Sequence, residues 1–300
     1  MNDRHLGLDL GGTSIKVAIL EQTATGFETA LTDQRGTQAW LGPEAVTGNL
    51  IAAAREAIAS SGPVSSVGLG VPGLFETSTG RIVLLPNLPG EWKGFPLREK
   101  MQNAIGAEVS MVNDARAFTL AEGTMGAGAG HRIVVGMTLG TGVGGGIMID
   151  GRLHLGAFGV AGELGHQTVD PNGRQCGCGN RGCVEAMARA DVLAAMAGKG
   201  TAEEAYASAA AGDAESIAAI REVARYLGIG LANVVTVLGP DRIVIGGGIV
   251  EAGDLVLGPI REAVRERVTL VPTDLIEVVP ASLGTKAGAL GAALAGVFRP

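Results

Sequence analysis

The chain has 300 residues, 46% of them hydrophobic and 18% charged, with a formal net charge of −7. That length holds one large domain or two ordinary ones with a full core, and the apolar content excludes a disordered chain. The acidic balance argues against nucleic acid or an anionic membrane as partner, and no uncharged apolar run reaches the ~18 residues of a membrane span.

Glycine stands out at 49 residues, more than twice its usual ~7%. The glycines are not periodic, so a collagen-like chain is excluded; their clusters between apolar stretches predict tight backbone turns around ligands. Asp3, Arg4 and Asp9 interrupt the start before an apolar core of signal-peptide length. The three cysteines lie within eight positions, which does not resemble a disulfide framework. A cytoplasmic enzyme is the expectation.

In chain order, Leu6–Leu20 reads as strand, Gly11-Gly12 turn, strand. Pro43–Ala59 follows as a helix, with Val46, Leu50, Ile51, Ala54 and Ile58 at helical spacing. Val64–Gly73 is a buried strand ending in a Gly-Pro loop; Glu108–Val112 is a short strand running into Asn113-Asp114, and Ala115–Glu122 is helical. The layout then restarts: Ile133–Gly151 is again strand, glycine-rich turn, strand. Helices are predicted at Ala186–Ala197, Ala202–Ala211 and Ser216–Leu238. Arg242–Val250 is a third strand-to-glycine junction, followed by a helix at Leu255–Arg267, a strand at Leu275–Val279 and a closing helix at Ala287–Val297. Two strand-turn-strand units, each followed by helices, predict two α/β domains with a cleft between them. The expected division is 1–114 and 115–286, with 287–300 packing back on the first.

Three kinds of segment carry chemistry. Asp9-Leu10-Gly11-Gly12-Thr13 and Thr138-Leu139-Gly140-Thr141-Gly142 are glycine turns whose N–H groups can form an anion nest, with Lys16 adding charge and Asp9 able to hold Mg²⁺. Each is equally readable as an ordinary hairpin turn. Gly246-Gly247-Gly248, after a strand, permits close approach of a ligand or simply close packing. There is no Walker motif and no GxGxxG signature. Asn113-Asp114, between strand and helix, offers a carboxylate that can take a hydroxyl proton, and is also a common helix cap. The sharpest signal is GHQTVDPNGRQCGCGNRGCVE (165–185), where His166, Cys176, Cys178 and Cys183 make one imidazole and three thiols. That is a closed tetrahedral zinc set, structural rather than catalytic; the competing readings are free thiols in a loop or a redox Cys-x-Cys pair.

With Glu163 and Glu185 at its flanks, this run resembles the signature of the ROK family of sugar kinases and sugar-responsive repressors, and the resemblance extends from Leu6 to the C-terminus. It implies an actin/hexokinase-like (ribonuclease H-like) fold of two α/β domains hinged about the active site, usually as a homodimer. It further implies zinc on His166, Cys176, Cys178 and Cys183; ATP·Mg²⁺ on Asp9, Gly11, Gly12, Thr13, Lys16, Thr138, Gly140, Thr141, Gly142 and Gly246 to Gly248; and a sugar on Gly73, Asn87, Asn113, Asp114, Glu163, His166 and Glu185. Asp114 would be the general base, and glucose the expected acceptor, with N-acetylmannosamine, N-acetylglucosamine or fructose as alternatives. With aromatics at 3%, the sugar would be held by hydrogen bonds. Arg116 departs from the small residue many family kinases carry after Asn-Asp-Ala, and is expected to lie beside the base. A non-catalytic sugar sensor is disfavoured, because the family's repressors carry an N-terminal helix-turn-helix and here the first strand begins near Leu6.

Overall fold

A computed structural model describes residues 3–86 and 88–299. In chain order the main elements are β1 (Arg4–Leu10), β2 (Ser14–Thr23), β3 (Gly26–Gly36), α1 (Pro43–Ser61), β4 (Ser66–Val71), β5 (Leu74–Phe75), β6 (Ile82–Leu84), α2 (Leu97–Ile105), β7 (Val109–Asn113) and α3 (Asp114–Met125). There follow β8 (Ile133–Leu139), β9 (Val143–Ile149), β10 (Arg152–Leu153), α4 (Val184–Ala188), α5 (Ala190–Met196), α6 (Ala202–Ala210), α7 (Ala214–Leu238), β11 (Arg242–Gly246), α8 (Asp254–Arg267), β12 (Glu277–Pro280) and α9 (Ala287–Phe298).

The chain divides into two units, residues 1–125 with 285–300, and residues 126–284. The sequence expectation ended the first unit at Asp114. The division falls eleven residues later because α3 stays with the first unit: Gly291 of α9 lies so close to Ala117 of α3 that an added Cβ would sit 1.8 Å from the Ala117 carbonyl oxygen.

The first unit is built on a sheet ordered β3-β2-β1-β4-β7, with β1–β2–β3 antiparallel and β1–β4–β7 parallel. Alternation assigns the two faces of β1. Leu6, Leu8 and Leu10 are buried in one cluster with Val46, Leu50 and Ala54 of α1. Gly7 faces the other way, against α9. A Cβ on Gly7 would lie 1.9 Å from Ala289 O, and one on Gly68 1.7 Å from Ala292 O. Glycine at both positions lets the alanine-rich α9 rest directly on the sheet backbone, where Leu290 and Leu294 are buried. Full burial of each such leucine contributes ~1.5–3 kcal/mol.

The second unit repeats the plan with the order β10-β9-β8-β11-β12; β9 is antiparallel to β8, while β11 and β12 are parallel. Two of its helices start on side-chain caps. Thr201 accepts from Glu204 N at the start of α6; Asp213 accepts from Ser216 N at the start of α7; Gly239, at φ 60°, ends α7. The helix expected over 186–197 is two helices, because Arg189 is extended (φ −69°, ψ 161°) between α4 and α5. β3 and α2 were not anticipated. β3 is an exposed edge strand and lacks an apolar face, while α2 buries only Leu97 and Met101.

Candidate functional site

In the first unit the candidate residues gather at the C-terminal ends of β1, β4 and β7. Gly11 to Thr13 form the β1–β2 turn, with Gly11 N donating to Ser14 O at 2.9 Å. Thr37, fully buried, fixes the turn from β3's end: its hydroxyl donates to Gly11 O at 2.6 Å and its N–H donates to Thr13 O at 3.0 Å. Asp9 pairs across the strands with Lys16. Its side chain shares a face with Gly7 and meets the start of α9, where a Cβ on Gly288 would be 2.3 Å from Asp9 Oδ2. On its other side, Gly70 leaves 3.5 Å to Oδ1. Burial pushes the Asp9 carboxyl above the usual carboxylate range, and Lys16 offsets part of that rise. A buried carboxylate beside a glycine turn offers hard oxygen ligands of the kind Mg²⁺ carried by a polyphosphate takes.

Asn113 ends β7 opposite Val71 of β4. Its Oδ1 accepts from the N–H groups of Ala115 (3.1 Å) and Arg116 (3.3 Å), and its Nδ2 donates to Gly73 O at 3.2 Å. Asn113 is therefore the cap of α3 and the tie between α3 and the Gly73 loop. Gly73 has φ 88° and would place a Cβ 2.3 Å from Leu84 O, so only glycine fits. Asp114 follows as the first residue of α3, partly exposed, its Oδ1 accepting from Ala115 N at 2.8 Å. Arg116, two positions after Asp114, is buried, its residue 4% exposed. Asn87 lies outside the described residues.

In the second unit the Gly140–Gly142 turn joins β8 to β9, with Gly140 N donating to Gly142 O at 3.0 Å. Gly246 pairs with Thr138 at the end of β11. Gly247, at φ 94°, would drive a Cβ to 1.9 Å from Leu139 O. The two glycine segments singled out in this half of the sequence are thus neighbours, with Gly140, Thr141, Gly247 and Gly248 all exposed. Together they form an exposed ledge, glycine except for Thr141, that suits a nucleotide.

The histidine–cysteine loop, a candidate metal site, is the best-defined feature. The ligand atoms of His166, Cys176, Cys178 and Cys183 all lie within 4.8 Å of one another. Cys178 Sγ to Cys183 Sγ is 3.7 Å, and Cys176 Sγ to His166 Nδ1 is 3.7 Å. Disulfide sulfurs would be ~2.05 Å apart; thiolates around a tetrahedral zinc, at ~2.3 Å from the ion, are about 3.8 Å apart. The separations fit zinc and exclude a bonded pair. Burial pushes the Cys183 thiol up to about 12 and raises Cys176, whereas the Asn180 backbone N–H lowers Cys178. A divalent cation is the counter-charge that makes three adjacent thiolates compatible.

The loop is held by a small hairpin, with Cys176 N donating to Asn180 O and Gly182 N to Arg174 O, both at 2.8 Å. Gly182 approaches Asp170 O so closely that a Cβ would sit at 1.5 Å. Glu163 and His166 bracket one turn of 3₁₀ helix, Leu164–His166, whose three-residue period brings them to one side. With Nδ1 turned to Cys176, His166 retains Nε2 for another partner. Glu185 stands in the first turn of α4, directly after Cys183. Its Oε1 is 3.8 Å from Cys176 Sγ and its Oε2 accepts from Val143 N at 3.1 Å. Val143, Gly165, Thr37 and Gly288 were not singled out from sequence. Their roles are backbone contacts and close approaches, for which residue type alone carries little signal.

Residues 5–295 match the ROK family. A glucokinase of Streptomyces coelicolor is 36% identical over 314 aligned positions, covering 96% of this chain and 96% of that protein. Among solved structures, the ROK hexokinase from Thermus thermophilus superposes with a TM-score of 0.85 at 33% identity, covering 99% of this chain and 98% of the other. A ROK family glucokinase from Streptomyces griseus, solved in complex with glucose and AMPPNP, gives 0.82 at 32% identity over 98% and 99%. Signature, repeated sheet plan and full-length likeness agree: the chain belongs to the ROK family, with its actin/hexokinase-like two-domain fold.

Proposed function

We propose that this chain is an ATP-dependent sugar kinase that phosphorylates a hexose, with glucose as its preferred acceptor and glucose 6-phosphate as its product. The observation that carries this reading is full-length likeness to glucokinases, one of them solved with glucose and an ATP analogue. In this reading Asp114 takes the proton of the attacking hydroxyl. The turns at Gly11–Thr13 and Gly140–Gly142 donate N–H groups to the phosphates, and Gly246–Gly248 receives the adenosine. Asp9 holds the Mg²⁺ that accompanies ATP and neutralises the charge developing on the transferring group. Gly73, Asn87, Asn113, Glu163, His166 and Glu185 bind sugar hydroxyls. Zinc on His166, Cys176, Cys178 and Cys183 supplies no bond-making step; it orders the loop that carries His166 Nε2 and Glu185.

A coupled assay over glucose, mannose, fructose, N-acetylglucosamine and N-acetylmannosamine, with ATP and polyphosphate as donors, tests the reading. The highest kcat/KM with glucose and ATP is expected. A higher value for an N-acetyl sugar moves the acceptor within the same chemistry, and no turnover with any pair overturns the kinase reading.

A further inference from the structure

Val143 is the backbone unit on which three parts of the second unit meet. Its N–H donates to Glu185 Oε2 at 3.1 Å. Its carbonyl is pressed by Gly165, between Glu163 and His166, where a Cβ would fall 1.9 Å from Val143 O. Gly142, the residue before it, would carry a Cβ 2.6 Å from Glu185 Oε2. At the start of α5, Ala190 N donates to Gly140 O at 3.0 Å. The Gly140–Gly142 turn is therefore held at both ends by the segment that follows Cys183, and one of those ties is a carboxylate side chain.

We infer that Glu185 is a positioning residue for the nucleotide as well as a sugar ligand: through Val143 it fixes the Gly140–Gly142 turn, so that phosphate affinity depends on the metal loop before any sugar is bound. The inference rests on the kinase reading, which assigns that turn to the phosphates. The physical reason is pre-organisation. Donors gripping an oxyanion bind best when they need not be ordered on arrival, and a charge-assisted hydrogen bond to the first residue of β9 holds the turn in register. A carboxylate that only contacts sugar has no bearing on nucleotide bound alone.

The test is calorimetric binding of Mg²⁺·AMPPNP without sugar, to the full chain, its Glu185→Ala variant and its Glu185→Gln variant, with bound zinc and thermal unfolding measured on each. Gln retains an acceptor oxygen for Val143 N–H, so its Kd is expected within about twofold of the parent. Ala is expected to weaken binding about tenfold, equivalent to ~1.4 kcal/mol. Unchanged affinity in the Ala variant, or equal weakening in both, overturns the inference. Should the Ala variant not fold, chelator-stripped parent protein replaces it: weaker AMPPNP binding supports the coupling and unchanged binding overturns it. A parent protein that binds no AMPPNP sinks the kinase reading together with the inference, whereas a parent that binds with no response to Glu185 or zinc sinks the inference alone.

Discussion

Gly288 is the second residue of α9, and a Cβ there would lie 2.3 Å from Asp9 Oδ2 and 2.6 Å from its Cγ. Comfortable contact needs ~3.5 Å, so Gly288→Ala must push the carboxyl group away by about 1 Å. The atoms that clash are the end of a short side chain, so α9 need not move. Alanine is also ~1 kcal/mol better than glycine inside a helix. Stability is therefore expected to stay within about 1 kcal/mol, a melting shift of a few degrees. A ligand displaced by ~1 Å costs on the order of a hundredfold in rate. The assay is kcat/KM for MgATP at saturating glucose, with thermal unfolding run alongside. Unchanged kinetics would refute a nucleotide role for Asp9, and a large melting drop would refute relief through the side chain alone. Gly68→Ala is the contrast. Its Cβ would meet backbone at 1.7 Å from Ala292 O, and no torsion relieves that. α9 must lift from the sheet, an overpacking cost of about 3 kcal/mol, and the melting temperature should fall by roughly 5 °C.

Asp114→Asn is expected to lower kcat by roughly a hundred- to ten-thousand-fold with little change in sugar KM, the signature of a lost general base; near-normal turnover would exclude that role. Cys178→Ser should lose bound zinc, read by elemental analysis, and raise the sugar KM; full zinc content would remove the ligand assignment. His5 makes stability depend on pH. It is buried, its Nδ1 lies 2.9 Å from Ser66 Oγ, and burial holds its pKa below 6.5 despite opposing effects of Asp3 and Gln22. The unfolded chain therefore binds the proton more readily. Stability should rise with pH up to about 6.5 and fall as pH drops below it. Urea unfolding at pH 5.5 and 7.5 should show this slope, with His5→Gln flattening it; an equal slope in that variant would rule His5 out as the cause.

The gathering of His166, Cys176, Cys178 and Cys183 was legible in the sequence because thiols are chemically distinctive and all three of them sit within eight positions of one another, close after a histidine. The repeated strand-turn-strand plan was legible because apolar alternation and glycine pairs are local signals, and β1–β2 and β8–β9 form where those signals lie. Asn113-Asp114 could be read as a junction, yet only the fold shows Asn113 joining α3 to Gly73 across 40 positions. Glycines were the least decipherable. At Gly11 or Gly140 a turn explains them; at Gly7, Gly68 and Gly288 the reason is a helix from the far end of the chain lying on β1 and β4. The end of the first unit was misjudged for the same reason, since nothing local to α3 records that α9 packs on it. Sequence determined which groups the chain possesses and the local shapes that present them. Tertiary structure decided which backbone they touch, because close approach between distant segments is fixed by packing and leaves no periodicity to read.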